Sequence, residues 1–372
     1  MKTFFNLVQE VQKPGLCHHC GGCVTFCTAI NYGALELSAD GRPRFKDMEK
    51  CIECGLCYMI CPEIHELDEE QKRIVSWSAP IGRIIDTTIA RSTDPEVREK
   101  ATDGGVVTSL LLHLLETGRI DGAIVAKQAG LFQRVPWLAH SREEIVEAAG
   151  FHFDTSHGMS LFSDRYSTYA PSIHELSPLL KEGLHRVAFV GTPCQIKTIR
   201  KMEVLGIVPA DSIKYCLGLF CSGNFVFGEE QRKKLEEMAG FRWEDVDGIN
   251  VKEELMIHLK SGEKKTLPLE DLDFIRRYAC RYCDDYSAEY ADLSFGGIGA
   301  EQGWTTVVVR TPLGRAVLAD AKGEVLEQYR SADQPGFVEE TLKKVLEWSD
   351  RKKKTAAKNR EELVRKPVNV KK

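Results

Sequence analysis

The residues that stand out for their chemistry are 13 cysteines in a chain of 372 residues. Eight of them form two runs with the same spacing, C-x2-C-x2-C-x3-C. The first run is Cys17, Cys20, Cys23 and Cys27, and the second is Cys51, Cys54, Cys57 and Cys61. Thiolates this close together can reach several irons of one cluster, so the two runs predict iron–sulfur chemistry.

The last cysteine of each run is expected to bind the cluster of the other run. This is the pattern of bacterial two-cluster ferredoxins, in which three thiolates of one loop bind one 4Fe-4S cubane and the fourth crosses over. We therefore assign one cluster to a first quartet, which is Cys17, Cys20, Cys23 and Cys61. The second quartet is Cys27, Cys51, Cys54 and Cys57. Gly21, Gly22 and Gly55 are expected at tight turns whose amides face the sulfides.

Zinc is the main alternative to iron at these cysteines. A purely structural role for the clusters is a second alternative interpretation. Four-cysteine zinc sites also use C-x2-C pairs, but they do not need two complete runs of four. So many cysteines in a long chain with no apparent secretion signal favour metal or redox chemistry over disulfides. Two redox clusters are therefore the preferred interpretation.

Five further cysteines follow later in the chain: Cys194, Cys216, Cys221, Cys280 and Cys283. Scattered cysteines are usually small buried hydrophobic residues. Here Cys194 lies on a predicted strand-to-helix turn and Cys221 ends an apolar strand. Cys280 and Cys283 form a C-x2-C pair. Spacing alone leaves open whether they are packed thiols or ligands of a third cluster.

The elements that must position these residues alternate between strand and helix. Val106–Glu116 has helical length, and short apolar runs at 122–126 and 186–190 predict buried strands. Further strands are expected at 212–220 and 304–310, with a hairpin around Ser261 and Gly262. The glycine-containing turn at 191–194, between a strand and a helix, places functional groups at the carboxyl end of a strand.

The expected fold is a mixture of the α+β and α/β classes. A bacterial-type two-cluster ferredoxin domain at 1–75 is followed by a mixed α/β domain at 76–345. The charged segment 63–73 is expected to be a linker or a short exposed helix. The basic tail at 346–372 predicts a solvated helix with a flexible end, or alternatively a docking arm for a partner.

Charge and hydropathy exclude some classes of function. A net charge of -5 argues against nucleic acid as the main partner, because binding phosphates requires a positive surface. No apolar stretch approaches the roughly 20 residues that span a bilayer. The N-terminus lacks the features of a secretion signal. We therefore expect a cytoplasmic protein, with peripheral attachment to a membrane complex as an option.

Motifs between about residues 85 and 310 resemble the beta subunit family of coenzyme F420 hydrogenases and dehydrogenases. The motifs that carry the resemblance are ARSTD at 90–94, DGGVVT at 103–108, GTPCQ at 191–195, GLFC at 218–221 and CRYCDDY at 280–286. They follow one another in the order and spacing of the family. The N-terminal cysteine-rich module is similar to one that is fused to several members.

The resemblance implies FAD and a 4Fe-4S cluster next to it. Its ligands correspond to a third quartet, which is Cys194, Cys221, Cys280 and Cys283, and Cys216 is left as a buried structural thiol. The implied flavin contacts are Asp103, Gly104, Gly105, Thr108, Gly191, Thr192, Pro193 and Gln195. The start of the helix at 106–116 could also hold a pyrophosphate.

Two basic residues and one departure from the family complete the prediction of the site. Arg200 and Lys201 are expected either to neutralise a phosphate of FAD or an acidic substrate tail, or to lie on an exposed helix face. Where the family usually has a Lys-Tyr pair, this chain reads Phe151-His152-Phe153. Loss of that positive charge puts the choice of substrate in question more than the flavin.

The predicted function is a subunit that converts hydride transfer into single-electron transfer. The resemblance implies that hydride passes between coenzyme F420 and FAD, and that three 4Fe-4S clusters relay electrons to a partner. The expected partner is a hydrogenase, formate dehydrogenase, heterodisulfide reductase or quinone reductase, and no acid–base residue is assigned. Alternatives are the same core acting on another hydride donor or a pigment-like substrate, or an electron-wiring subunit with no substrate of its own.

Overall fold

The structure is a computed structural model that describes residues 1–29, 32–38, 41–130, 133–150, 153–154, 173, 179, 183–251, 253–329 and 336–365. It contains a cysteine-rich N-terminal region, an eight-stranded and a four-stranded sheet, and a long C-terminal helix. Within these ranges, every helix is too short or too polar to cross a lipid bilayer.

The N-terminal region builds a small core around its cysteines. Its elements are α1 (Phe4–Leu7), α2 (Gly22–Ala29), β1 (Leu35–Leu37), β2 (Pro43–Phe45), α3 (Leu56–Met59) and α4 (Asp68–Ile74). The two strands pair as an antiparallel hairpin. Phe4, Val24 and Tyr58 are buried together with Cys23, Cys27 and Cys57, so the cysteines belong to this core.

Helix α4 confirms the short helix expected within 63–73, but one of its sides is not exposed. Gln71 is fully buried, and its Nε2 donates to the carbonyl of Lys197 at 2.6 Å. The charged residues Glu69, Glu70, Lys72 and Arg73 occupy the outer side. The helix therefore connects the N-terminal region to the domain that follows.

The large sheet has the strand order β14-β3-β13-β12-β8-β7-β4-β5. These strands are β3 (Asp86–Ser92), β4 (Gly122–Gly130), β5 (Gln133–Ala139), β7 (Val187–Gly191), β8 (Ile213–Leu219), β12 (Leu293–Gly296), β13 (Thr305–Val309) and β14 (Leu326–Gln328). Strands β4, β7, β8 and β12 are parallel neighbours, and β13 is antiparallel to both β12 and β3. The carboxyl ends of β3, β4, β7, β8 and β12 therefore meet at one edge of the sheet.

Helices cover both faces of this sheet. They are α5 (Pro95–Lys100), α6 (Val106–Glu116), α7 (Arg142–Glu147), α8 (Pro193–Val204) and α10 (Pro312–Ala321). Leu110 and Leu114 of α6 pack with Val317 of α10 in one core. Ile196 and Ile199 of α8 pack in the other, which also contains Phe26 and Ile60 from the N-terminal region. Helix α8 therefore lies between the sheet and the cysteine-rich region.

A second, smaller domain is built on the sheet β11-β10-β9-β6. Its strands are β6 (Phe153–Asp154), β9 (Val246–Val251), β10 (Glu254–Leu259) and β11 (Lys264–Pro268), and helix α9 (Glu229–Ala239) packs on it. The hairpin of β10 and β11, with Ile257 opposite Lys265, confirms the one expected around Ser261 and Gly262. Phe227, Trp243 and Leu255 form its core.

The last element, α11 (Phe337–Arg365), corrects the interpretation of the basic tail as a solvated helix. It begins before the expected boundary at 345/346, so that boundary falls inside a helix. Val345, Ser349 and Ala356 are buried at helical spacing, so one side of α11 packs against the rest of the molecule. Residues 366–372, which include the expected flexible end, lie outside the described ranges.

The predicted fold class is confirmed. A ferredoxin-like region precedes a mixed α/β domain, and the predicted helix at Val106–Glu116 has the predicted bounds. The sequence did not predict that β13 would run antiparallel to both β12 and β3, because the composition of a short strand carries no signal of its direction.

Candidate functional site

The second quartet surrounds a small cavity at the N-terminal end of the molecule. Cys27, Cys51, Cys54 and Cys57 all line it, with apolar neighbours such as Phe4 and Phe26. Burial raises the pKa of the Cys57 thiol to about 12, and the nearby Cys54, Cys51 and Cys27 add to the effect. The fourth cysteine of the first run thus lies beside the second run, as a crossed arrangement requires.

The first quartet is brought together in the same way. Burial raises the pKa of Cys61 well above its ordinary value, and Cys20 and Cys17 raise it further because they lie close by. Burial likewise raises the pKa of Cys17 to about 12, with a contribution from Cys20. Cys23 is buried near Cys20, Cys17 and Cys61 of its own quartet and also near Cys57, so it is on the side of the first quartet that faces the second.

The two ligand loops share an unusual backbone. Gly21 and Gly55, which follow the second cysteine of each run, have φ values of 81° and 74° and confirm the expected tight turns. His19 and Glu53, which precede the same cysteines, also have positive φ, at 55° and 56°. Gly22 instead begins helix α2, where an added Cβ would lie 2.6 Å from Thr198 Cγ2. Its small size therefore serves close packing on α8.

The third quartet lies on elements that meet at the carboxyl edge of the large sheet. Cys194 is in the first turn of α8, and Cys221 follows β8, where its N–H donates to Tyr286 O at 2.8 Å. Cys280 lies in the short helical turn Tyr278–Tyr282, and Cys283 follows it. The pKa of Cys194 is raised well above its ordinary value by burial and by Cys283, with a further contribution from Cys221.

Cys216 does not join this group. It is buried inside β8, where its N–H donates to Asp292 Oδ2 at 2.8 Å. Burial raises the pKa of its thiol to about 12, and the nearby Arg200 opposes the rise. This placement agrees with a structural thiol.

The thiols of each quartet suit a cluster better than a single ion. In the part of the chain that the structure describes, no three His, Cys, Asp or Glu side chains converge closely enough to hold one metal ion. A zinc site needs four ligands around one atom, whereas the thiolates of a cubane bind four different irons and surround a larger space. The four cysteines of the second quartet line one common cavity, as the ligands of one cluster must.

The three quartets form a row, with the first quartet in the middle. Cys20 is near Cys194 of the third quartet, and Cys23 is near Cys57 of the second. Cys20 Sγ also lies 3.8 Å from Thr198 Oγ1 on α8, the helix that carries Cys194. The sites therefore adjoin one another from the sheet edge to the N-terminal region.

A buried histidine lies between the first and third quartets. His18 Nε2 is 2.8 Å from Glu63 Oε1, and Arg277 donates to the carbonyl of His18 at 2.9 Å. Arg360 of α11 reaches the other oxygen of Glu63 at 2.8 Å. Burial opposes ionisation of Glu63, but His18 and Arg360 outweigh it and lower its pKa to about 2.

Arg200 and Lys201 are buried, so the alternative of an exposed helix face is wrong for both. Arg200 donates to Tyr290 O at 2.9 Å and pairs with Asp292 at 3.0 Å. Lys201 Nζ donates to Cys61 O at 2.9 Å and to Ile64 O, and burial lowers its pKa to about 8. The structure thus gives both charges partners within the protein.

The loop of Asp103, Gly104 and Gly105 lies at the same edge of the sheet. The Gly104 N–H donates to Thr305 Oγ1 at 2.9 Å, so this amide is already bonded within the protein. Gly105 has φ of 73° and precedes α6, and Thr108 is buried in the first turn of that helix. A Cβ on Gly297 would lie 2.7 Å from the Asp103 carboxylate, which places Asp103 against the residue that follows β12.

The segment from Gly191 to Gln195 forms the start of α8. Pro193 is its first residue, and Gln195 Oε1 accepts from the N–H of Thr192 at 2.9 Å in a capping interaction. Thr192 Oγ1 lies 3.3 Å from Cys194 Sγ. These predicted flavin contacts therefore orient a cysteine of the third quartet.

A cleft of about 950 Å³ opens beside the third quartet. Cys280 and Cys283 line it, together with the aromatic residues Tyr286 and Trp348. Its cationic lining residues are Arg276, Arg281, Lys344, Arg351 and Lys352, and Gly297 and Gly299 form part of the wall. None of the ten predicted flavin contacts is among its lining residues within the described ranges, although Asp103 abuts Gly297. His152 lies outside those ranges.

Sequence reasoning missed the residues of α11 that reach the site. Lys352 Nζ donates to Cys221 O at 2.6 Å and to Asp285 O at 2.8 Å. Lys353 pairs with the buried Glu289 at 2.6 Å. The basic stretch at 351–354 is typical of a solvated surface, but helical spacing from Val345 and Ser349 places residue 352 on the buried side.

Family models match most of the chain. The model for the C-terminal part of the coenzyme F420 hydrogenase/dehydrogenase beta subunit matches residues 184–334, and the model for its N-terminal part matches 87–163. A "4Fe-4S dicluster domain" matches residues 9–62, and a "4Fe-4S single cluster domain of Ferredoxin I" matches 47–102. Helix α11 lies beyond all four matches.

Relatives with assigned names share these regions. The coenzyme F420 hydrogenase subunit beta of Methanococcus voltae is 34% identical over 243 residues, which cover 64% of this chain and 81% of that protein. The coenzyme F420-dependent sulfite reductase of Methanocaldococcus jannaschii is 28% identical over 327 residues, covering 83% of this chain and 46% of that protein.

A solved structure has the same fold over most of the chain. A chain of the xenon-derivatised F420-reducing NiFe hydrogenase complex from Methanosarcina barkeri superimposes with a TM-score of 0.64 at 27% identity. The match covers 77% of this chain and 94% of that one. Together with the family models and the named relatives, it shows that this chain belongs to the coenzyme F420 hydrogenase/dehydrogenase beta subunit family, with a 4Fe-4S ferredoxin region at its N-terminus.

Proposed function

We propose that this chain exchanges hydride with coenzyme F420 and relays single electrons through three 4Fe-4S clusters to a partner subunit. The observation that carries the proposal is the row of three cysteine quartets, which adjoin one another from the sheet edge to the N-terminal region. Relatives named as F420 hydrogenase and F420-dependent sulfite reductase support F420 as the substrate.

The flavin is proposed to bind in the cleft beside Cys280 and Cys283. The cleft has the volume of a large ligand site, and its aromatic residues suit a ring system. Its charged walls are mixed, since Arg276, Lys344 and Arg351 pair with the lining residues Asp273, Glu253 and Glu270. Asp103 is the predicted contact that this placement supports best, since it reaches the cleft wall at Gly297. Bound FAD would supply the exchange between hydride and single electrons, which a deazaflavin cannot carry out with clusters.

The other predicted contacts take supporting roles in this proposal. Thr192 and Gln195 fix the start of α8 and so hold Cys194 in place. Arg200 anchors α8 to the loop at Tyr290, and Lys201 holds the carbonyl of Cys61. These residues thus orient the proposed cluster ligands, and none is assigned to move a proton.

The second quartet is proposed as the exit for electrons, because it lies at the end of the row away from the cleft. The exposed apolar side chains of Phe5, Met48 and Ile52 lie in its part of the chain. The partner is proposed to be the catalytic or electron-accepting subunit of a hydrogenase, formate dehydrogenase, heterodisulfide reductase or quinone reductase complex. The proposed location is the cytoplasm, alone or at the periphery of a membrane complex.

Cofactor content tests the first part of the proposal. We expect anaerobically purified protein to contain about 12 irons per chain, since three cubanes of four irons each are assigned to three four-cysteine sites. Extracted FAD, measured by fluorescence because cluster absorption hides the flavin bands, should approach one per chain. About eight irons would remove the third cluster, and absence of FAD would favour an electron-wiring subunit without a substrate.

The identity of the hydride donor is tested by stopped-flow reduction of the complete protein. We expect reduced F420 to bleach the flavin and cluster bands in a single mixing experiment, whereas NADH and NADPH leave them unchanged. Viologen dye serves as the electron acceptor in steady-state controls. Reduction by a nicotinamide alone would reject F420 as the substrate while retaining the flavin and the clusters.

A further inference from the structure

Lys352 differs from Arg351 and Lys354 on α11 in facing the protein, and from Lys353, which pairs with Glu289, in binding only carbonyls. The side chains of Arg351 and Lys354 are 57% and 76% exposed, as expected for a solvated helix face. Lys352 instead turns inward, and its ammonium donates to the carbonyls of Cys221 and Asp285 at 2.6 and 2.8 Å. Two charges of the basic stretch, those of Lys352 and Lys353, therefore face the protein, and the half-buried Lys352 is the one that binds carbonyls.

This charge lies against the third quartet. Cys221, whose carbonyl it binds, is a member of the quartet, and Cys280 and Cys283 are also within electrostatic reach of Lys352. Lys352 lines the same cleft as Cys280 and Cys283. The ammonium thus adjoins three of the four proposed ligands.

The partners of Lys352 do not neutralise it. Among the described residues, no carboxylate forms an ion pair with its Nζ. The Asp285 carboxylate is within electrostatic reach of the ammonium, but it accepts from the N–H of Glu289 at 3.0 Å, and burial raises its pKa and so disfavours its charged form. Burying an ammonium that binds only carbonyls costs free energy, and a neutral donor would satisfy the same carbonyls. An anionic group beside it, such as a thiolate-ligated cluster, would offset this cost.

We propose that Lys352 is a positioning residue whose charge raises the reduction potential of the third cluster. The inference rests on the proposed third cluster and adds a residue that lies outside the matched family models. One-electron reduction makes a cluster with four thiolates more negative, so a fixed positive charge stabilises the reduced form. The electron enters from the flavin and leaves towards the first quartet, so this charge favours its first transfer.

The test compares Lys352→Met and Lys352→Arg in the complete protein, with iron counted before each measurement. Reduction potentials are measured by anaerobic titration followed by electron paramagnetic resonance. The signal of the third cluster is the one that disappears in Cys194→Ala. Lys354→Met is the matched control, because it removes an equal charge from the exposed side of the same helix.

We expect Lys352→Met to shift the third cluster to a more negative potential and to leave the other two clusters unchanged. Lys352→Arg should return the potential towards that of the wild type, and Lys354→Met should not move it. An unchanged potential in Lys352→Met with full iron content would overturn the proposal. A wild-type protein with only two clusters would instead reject the proposed function on which the inference rests.

If Lys352→Met loses iron, Lys352→Gln separates the effect of the charge from that of the hydrogen bonds, because it keeps an N–H donor without the charge. If Lys352→Gln retains the third cluster at a lower potential, or if only Lys352→Arg retains the cluster, the charge is required. If Lys352→Gln retains it at the wild-type potential, or if all three variants lose it, side-chain shape matters and the proposal is wrong.

Discussion

Glu289 is a buried carboxylic acid with partners on two elements. Trp77 Nε1 donates to one of its oxygens at 2.8 Å, and Lys353 of α11 pairs with the other at 2.6 Å. Burial is the main cause that raises its pKa, to about 7, and the nearby Asp285 acts in the same direction. In the folded protein this carboxyl therefore changes its protonation state near neutral pH.

Glu289→Gln is expected to flatten the dependence of stability on pH. Because the pKa of Glu289 is raised from 4.5 to about 7 on folding, the folded state binds more protons between these values. Stability from this group is therefore present at low pH and falls as pH rises through about 7. Apparent melting temperatures of the anaerobic protein between about pH 5 and pH 8 measure the effect.

The control for this prediction is Glu361→Gln, which changes an exposed carboxylate of α11. It should keep the wild-type slope. If Glu289→Gln keeps that slope as well, the carboxyl of Glu289 is ionised in the folded protein and the interpretation is wrong.

Individual residues were predictable where spacing encodes chemistry. The two cysteine runs give their ligands and the crossover directly from C-x2-C-x2-C-x3-C, and both quartets do gather as that pattern predicts. The roles of Arg200 and Lys352 were not predictable, because they depend on which carbonyls and carboxylates the tertiary fold brings to them. A charged residue in a polar stretch is usually exposed, and even the helical spacing that places residue 352 on the inner side of α11 does not identify its partners.

At the scale of elements, strand β8 lies close to the segment that precedes β12. Gly218 has no side chain, and a Cβ there would lie 2.4 Å from Ala288 Cβ and 2.8 Å from Ala291 Cβ. Both alanines are completely buried. The strand can therefore approach this segment only because residue 218 is glycine.

Gly218→Ala is expected to destabilise the protein by roughly 1–3 kcal/mol, the usual cost of adding a carbon to a filled core. The matched control is Gly228→Ala, where the added Cβ would meet only the flexible end of Gln231. Denaturant unfolding of both variants under anaerobic conditions measures the difference. Equal stability of the two variants would show that the segment at 288–291 adjusts without cost.

Elements with a strong period were predicted well, and those with a mixed signal were not. The helix Val106–Glu116 combines a continuous apolar face with a following glycine, so its bounds followed from sequence. Helix α11 begins earlier than expected. Residues 337–347 do have apolar positions at helical spacing, such as Val338, Leu342 and Val345, but the expected boundary was set by the basic composition that follows. Its packing depends on partners from distant parts of the chain.

At the scale of the whole molecule, α11 joins the N-terminal region to the large domain. Arg360 pairs with Glu63 at 2.8 Å and also donates to the carbonyl of Tyr282 at 3.1 Å. Leu363 packs against the core that contains Phe4 and Tyr58. The last turns of the helix therefore contact both parts at once.

Arg360→Met is expected to loosen this contact, because it leaves Glu63 with His18 as its remaining charged partner. We expect faster hydrogen exchange of the backbone around residues 60–66 and a loss of about 1–3 kcal/mol, typical of breaking a partly buried charge pair. Arg365→Met, which removes an exposed charge near the same end of the helix, is the control. Unchanged exchange around Glu63 would show that apolar packing alone holds the two parts together.

The relative placement of the three quartets could not be predicted from sequence. Cys20 and Cys194 are far apart in the chain, and their proximity arises because α2 packs on α8 through Gly22 and Thr198. The resemblance implied that a third cluster exists, but a contact between distant helices leaves no spacing pattern. Only the tertiary fold brings these groups into one row.

Helix α8 touches two of the quartets along a single rigid element. Cys194 lies in its first turn, and Thr198 contacts Cys20. Lys201, which lies about 10 Å along the helix axis from Cys194, donates to the carbonyl of Cys61. Electron tunnelling rates fall exponentially with the distance between donor and acceptor. A distance spanned by one rigid helix hardly changes when other parts of the protein move. In the proposed relay, electron transfer between the first and third quartets should therefore keep a constant rate, so that the steps at the flavin and at the partner subunit are the ones open to regulation.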